Sequence, residues 1–163
     1  VPPEQLVSYI YEPAVSPHLA AQLEKRPVDM KKIQSDFHHI ATQFDVMVTE
    51  GSGGIICPLR MDSSPIMLTD VIQTLHLPIL IVAHAGLGTI NSTVLTAAYA
   101  KQHNIIVNGI ILNQYDSDNL MHCDNKKQIE HLTGIPVVAC VKPNETELSV
   151  SAESLLHLCN DIS

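Results

Sequence analysis

Seven consecutive residues without a polar side chain, Leu77-Pro78-Ile79-Leu80-Ile81-Val82-Ala83, dictate how this chain can fold. The run is far short of the roughly 20 residues that a membrane-crossing helix needs. A strand that is apolar at every position, not at alternate ones, calls for cover on both faces, the condition of a parallel sheet between helices. Ile105 to Leu112 reads as a second buried strand and Val137 to Val141 as a third. Single helices fill the gaps. One is capped by Asn91 and runs to about His103, and another spans about Asn119 to Thr133 and ends at Gly134. Strands joined by single helices imply parallel crossovers.

Upstream, Val7 to Tyr11 is a short β-rich run ended by Pro13. From Val28 to Phe44, apolar residues fall at Met30, Ile33, Phe37, Ile40, Ala41 and Phe44, which is helical spacing. Asp45 to Thr49 reads as a strand running straight into Glu50-Gly51-Ser52-Gly53-Gly54. A helix starting at Ser64-Pro65, with the proline in its first turn, extends to about His76. Leu148 to Cys159 forms a short closing helix. The expectation is a single α/β domain over residues 1–163, a doubly wound and mainly parallel sheet with helices on both faces. Ligands of such sheets bind beyond the carboxyl ends of the strands, here Glu50, His84, Asn113 and Lys142.

Charge narrows the partners. With 45% hydrophobic and 16% charged residues the composition is globular, and the net charge of -8 argues against nucleic acid or an anionic membrane as the main partner. An anionic small molecule remains compatible, because backbone N–H groups bind phosphate inside acidic proteins. Val1-Pro2-Pro3-Glu4 shows no basic segment leading into an apolar run, so neither a leader nor an anchor is expected. Cys57, Cys123, Cys140 and Cys159 show no C-x-x-C spacing, which points to free thiols in a reducing cytoplasm.

Three segments carry candidate chemistry. In Glu50-Gly51-Ser52-Gly53-Gly54 a carboxylate at a strand end suits magnesium facing phosphate oxygens, and the glycines admit close approach to the main chain. A glycine turn beside a solvated glutamate accounts for the same residues. Ala85-Gly86-Leu87-Gly88-Thr89-Ile90-Asn91 offers a glycine loop and a helix start suited to carboxylate or phosphate, without the dinucleotide G-x-G-x-x-G spacing. A plain strand-to-helix turn fits it equally. Asn113 can show donor and acceptor to an adenine edge, or simply form a turn. His38-His39 and His122-Cys123 lack ligand spacing, so surface or satisfied histidines are favoured over a metal site. Glu145, Glu147 and Glu153 read as a solvated face.

In order along the chain, Glu12 to Ala21 with its Ser16-Pro17-His18, Thr49 to Gly54 with Pro58-Leu59, Asp70, Leu77 to Val82, Gly86 to Asn91 with Leu95-Thr96, and Gly109 to Asn113 together resemble the dethiobiotin synthetase family. The resemblance spans about residues 7–143. It implies a P-loop NTPase-like fold and an ATP- and magnesium-dependent ligase of biotin synthesis. In that family 7,8-diaminononanoate captures CO2 as a carbamate, ATP phosphorylates it, and the neighbouring amine closes a cyclic urea.

By resemblance Glu50 is the magnesium ligand, and Gly51, Ser52, Gly53 and Gly54 line the phosphate and carbamate region. Gly88, Thr89, Ile90 and Asn91 receive the substrate carboxylate, partly across a homodimer interface, and Ser16 and Pro17 lie near the substrate. Asn113 reads adenine, with Lys142, Pro143 and Asn144 beside the base, although Pro143 stands about one position late. No catalytic residue is assigned. The family opens with a strand, a P-loop ending in Gly-Lys-Thr, and a catalytic lysine on the next strand. No G-x-x-x-x-G-K-[ST] occurs in the 163 residues. The N-terminal strand and P-loop are therefore expected to be absent from this chain, which alone should be inactive. Two other readings stand beside the ligase: a partitioning or regulatory P-loop ATPase, and a non-catalytic module that keeps the fold.

Overall fold

The computed structural model describes Pro2, residues 6–146 and residues 150–160, and divides the chain into two compact units, Val1–His76 and Leu77–Ser163. Glu147 and Leu148 lie outside the described residues, as does the Cys159 side chain.

The first unit holds helices α1 (Pro17–Leu23) and α2 (Met30–Ala41), strands β1 (Pro58–Arg60) and β2 (Ile66–Met67), and helix α3 (Leu68–Thr74). Asp29 caps α2, its carboxylate accepting from the Lys31 amide at 2.9 Å. Val28, expected inside that helix, instead joins Cys57, Leu59 and Ile66 in the core, and Phe44 is exposed beyond the helix end. Thr42 closes α2, its hydroxyl donating to the His39 carbonyl.

Three expected elements differ here. Asp45 to Thr49 forms no strand, and Val48 is 85% exposed. A strand exists through its ladder, and the ladder of this unit, the short antiparallel β1–β2 pair, offers that segment no register. Val7 to Tyr11 is likewise unpaired and is held by side chains. The Tyr9 hydroxyl accepts from the Asp29 amide, the Tyr11 hydroxyl donates to the Arg26 carbonyl, and Arg26 stacks over the Tyr11 ring. The helix expected at Ser64-Pro65 begins at Leu68, because Ile66 is drawn into the core as part of β2. The Asp70 carboxylate then takes the Met67 amide at 2.7 Å.

The second unit is the α/β part: β3 (Ile79–His84), α4 (Thr89–Gln102), β4 (Val107–Asn113), α5 (Leu120–Thr133), β5 (Val137–Val141) and α6 (Ala152–Asn160). The strands pair in parallel in the order β3-β4-β5. Ile110, Leu112 and Ile129 are fully buried and pack with Ile81, Ala85 and Ala97. Truncating any of the three to alanine removes about 2–5 kcal/mol. Two expectations are corrected. β3 is the edge of its sheet, and Val82 is 65% exposed instead of covered on both faces. The cap of helix α4 stands three residues earlier than expected, so Asn91 sits in its first turn and Gly88 takes the cap at φ 87°, a left-handed geometry that glycine adopts without strain. Asn119 does cap α5, accepting from the Met121 and His122 amides, and Gly134 ends it.

Candidate functional site

The parallel register brings the carboxyl ends of the second unit's strands level: His84 faces Asn113 and Asn113 faces Val141. Around them a loop is fixed from several sides. The Ala85 amide donates to the Asn113 carbonyl at 2.9 Å, joining the ends of β3 and β4. From α5, the buried Asn125 carboxamide nitrogen donates to the carbonyls of Ala85 at 2.8 Å and Gly86 at 3.1 Å. The Gly86 amide donates to His84 Nδ1 at 2.9 Å, and His84 Nε2 meets Gln114 Oε1 at 2.7 Å. Gly86 leaves no space for a side chain, since a Cβ there would stand 2.9 Å from the His84 ring.

Beyond this clamp α4 begins. Thr89 is buried, and its amide returns to the Gly86 carbonyl at 3.3 Å. The amides of Ile90 and Asn91 have no acceptor among the described residues, which leaves two donors at the positive end of a 14-residue helix. Such a terminus suits an anionic group.

Asn113 is exposed and its carboxamide oxygen accepts from the Gln114 amide, while its nitrogen has no acceptor among the described residues. Lys142, Pro143 and Asn144 form an exposed turn after β5, closed by the Lys142 amide donating to the Glu145 carboxylate at 2.8 Å. Behind the turn, Tyr115 donates to Cys123 Sγ at 3.5 Å; that bond, then burial, pushes its phenol up to about 12. Burial also raises the Cys140 thiol.

In the first unit Glu50 is exposed and leads into a tight turn, with the Gly53 amide donating to the Gly51 carbonyl at 3.2 Å and Gly53 at φ 89°. Ser52 and Gly54 are exposed in the same turn. Ser16 precedes α1, and its hydroxyl makes no capping bond. Pro17 takes the first helical position. His18, next in line, has a buried Nδ1 without a partner and borders a cavity of about 280 Å³ that Lys25, Arg60 and Asp62 also line. No group of three His, Cys, Asp or Glu side chains placed to hold a metal occurs among the described residues.

Sequence reasoning singled out Gly88 to Asn91, Asn113 and the Lys142 turn, all on one end of the second sheet. It missed Asn125 and Gln114 and left His84 as an inspected strand end. A helix interior disfavours asparagine, so Asn125 within α5 was a faint signal of a tertiary role.

Residues 2–150 match the family model described as AAA domain. An "ATP-dependent dethiobiotin synthetase BioD" from Clostridium botulinum strain 657 is 46% identical over 160 residues, covering 98% of this chain and 70% of that protein. A protein of the same name from strain Eklund 17B is 50% identical over 143 residues, covering 88% of this chain and 63% of the relative. Another, from Brachyspira hyodysenteriae, is 51% identical over 139 residues, covering 85% of this chain and 63% of that protein. The chain thus spans less than two thirds of the length of several relatives that it matches, 63% and 61% for two from Clostridium botulinum. It belongs to the AAA-domain family and, within it, to the dethiobiotin synthetase family.

Proposed function

We propose that this chain is part of an ATP- and magnesium-dependent ligase that converts 7,8-diaminononanoate, CO2 and ATP to dethiobiotin in biotin biosynthesis. The observation that carries the reading is the 46% identity across 98% of the chain to a protein named as such a synthetase. One substrate amine adds to CO2 to give a carbamate. A carbamate oxygen takes the γ-phosphoryl group of ATP, releasing ADP, and the second amine attacks the carbonyl carbon and expels phosphate as the cyclic urea forms.

The roles are those that the family resemblance implies, set beside the chemistry of each segment. The open Ile90 and Asn91 amides, with Gly88 and Thr89, bind the substrate carboxylate. Asn113, with Lys142, Pro143 and Asn144, borders the adenine. By resemblance to the family, Ser16 and Pro17 lie near the substrate, and Gly51, Ser52, Gly53 and Gly54 line the phosphate and carbamate region. An exposed lone carboxylate fits magnesium better than a protein cage would, since that ion keeps several waters and takes one or two carboxylates plus phosphate oxygens. Glu50 would hold it, and the ion would neutralise charge on the transferring phosphoryl group. A homodimer working in the cytoplasm belongs to the same proposal. So does inactivity of the 163 residues alone, which contain no P-loop motif to cradle the phosphates.

Phosphate release that depends on both diaminononanoate and bicarbonate tests the proposal, measured on the full gene product beside the 163-residue chain. Turnover by the full product, lowered at least about 10²-fold by Glu50→Gln, is expected. A well-folded full product that releases no substrate-dependent phosphate would leave a non-catalytic module as the better account.

A further inference from the structure

Resting on the strand-end reading of the ligand face, we infer that His84 is a positioning residue: a neutral imidazole that sets the amide-bearing start of α4 and ties it to the turn after Asn113. The Gly86 amide can only donate, so His84 Nδ1 must present its lone pair to it at 2.9 Å. The ring proton therefore sits on Nε2 and points at Gln114 Oε1, 2.7 Å away. Both nitrogens are committed, which fixes one tautomer.

Sterics hold the ring as well. A Cβ on residue 86 would lie 2.9 Å from the ring atoms Cε1 and Nδ1, so the imidazole lies directly against a bare glycine peptide. That peptide matters downstream. The Gly86 carbonyl accepts from the Thr89 amide and from Asn125, so its orientation helps to set the first turn of α4 and the direction of the open Ile90 and Asn91 amides.

The other end of the tie lies on β4. Gln114 follows Asn113, adopts φ 56°, and donates its amide to the Asn113 carboxamide oxygen. A shift of the Asn113 side chain on meeting a ligand is thus transmitted through Gln114 and His84 to the helix start. Any coupling of this kind is reciprocal, so each ligand should alter the affinity for the other.

Three variants of the full gene product separate the tie from general destabilisation. His84→Ala removes both bonds. His84→Asn restores an acceptor for the amide two residues on, as in an Asx turn, but cannot reach Gln114. Gln114→Ala cuts only the far end. We expect His84→Ala to raise KM for diaminononanoate about tenfold with kcat changed much less, the signature of lost uniform binding. His84→Asn should recover most of that loss. Gln114→Ala should leave the dissociation constant of diaminononanoate measured without nucleotide near normal, while abolishing the effect of a non-hydrolysable ATP analogue on that constant.

Nitrogen NMR of the ligand-free protein should show His84 Nδ1 unprotonated and Nε2 protonated, and the Gly86 amide should exchange about tenfold faster in His84→Ala. A protonated Nδ1, or unchanged KM and exchange in His84→Ala, would overturn the inference. Absence of any turnover by the unmodified protein would instead count against the ligase reading, and the NMR and exchange results would still decide the role of His84.

Discussion

Replacing Asn125 with leucine should destabilise the protein, although hydrophobicity and helix propensity both favour leucine at a buried position inside α5. The reason lies in what Asn125 serves. Its carboxamide nitrogen supplies the sole hydrogen bond described for the Ala85 carbonyl, and Ala85 is 0% exposed. It also supplies one of two bonds to the Gly86 carbonyl, the other being the 3.3 Å bond from Thr89. Leucine keeps the volume and keeps water out, so one carbonyl is orphaned and another weakened. An orphaned buried acceptor costs about 1–3 kcal/mol, so with the weakened second bond about 2–3 kcal/mol is expected. Asn125→Ala leaves room for a water to replace the carboxamide and should cost less than leucine, reversing the usual order for a buried site. Urea unfolding followed by circular dichroism reads the difference. With a slope of about 1–3 kcal/mol per molar urea, the leucine midpoint should fall by roughly 0.7–3 M. A leucine variant as stable as the unmodified protein, or more stable, would refute the hydrogen-bond account.

Gly86→Ala forces a Cβ to 2.9 Å from the His84 ring, a clash worth about 1–3 kcal/mol; in a His84→Ala background it should cost under about 0.5 kcal/mol, and additive losses in the double-mutant cycle would show that the ring does not lie there. The Tyr115 phenol, raised to about 12 from 10.0, favours the folded state fully below pH 10, and that contribution should disappear as pH climbs through about 12. Phenolate absorbance should show Tyr115 ionising late, beside a Tyr11 phenol that burial also raises, and Cys123→Ala should bring Tyr115 back toward the ordinary range because the bond to Cys123 is the largest cause.

The second unit was the more legible half because its signals are local. An unbroken apolar run announces β3, Asn119 and Gly134 bracket α5 by their own side-chain and backbone chemistry, and Val137–Val141 is bounded by the preceding proline. The same rules failed in the first unit where the outcome depends on partners. Asp45 to Thr49 has the composition of a strand, but composition supplies no ladder. Pro65 suits a first helical turn, yet the burial of Ile66 two steps before Leu68 decides where α3 begins. Propensity proposes such elements, and the packing of one or two apolar side chains disposes of them.

The candidate site divides in the same way. The glycine loop holding Gly88 and the strand end at Asn113 can be picked from the sequence by residue type and position, although the helix cap stands at Gly88 and not at Asn91. Their orientation cannot be read so, because it rests on bonds across long separations, with Asn125 holding the Ala85 carbonyl from 40 residues away and Gln114 meeting His84 across 30. A histidine and an asparagine with no motif between them converge on one glycine peptide, the histidine held in turn by Gln114, and the chemistry of each contact is fixed. Nδ1 must accept, the carboxamide nitrogen must donate, and residue 86 must lack a Cβ. Substitution at any one of these positions should therefore be felt at the others, whereas neighbouring exposed residues such as Leu87 should tolerate change freely.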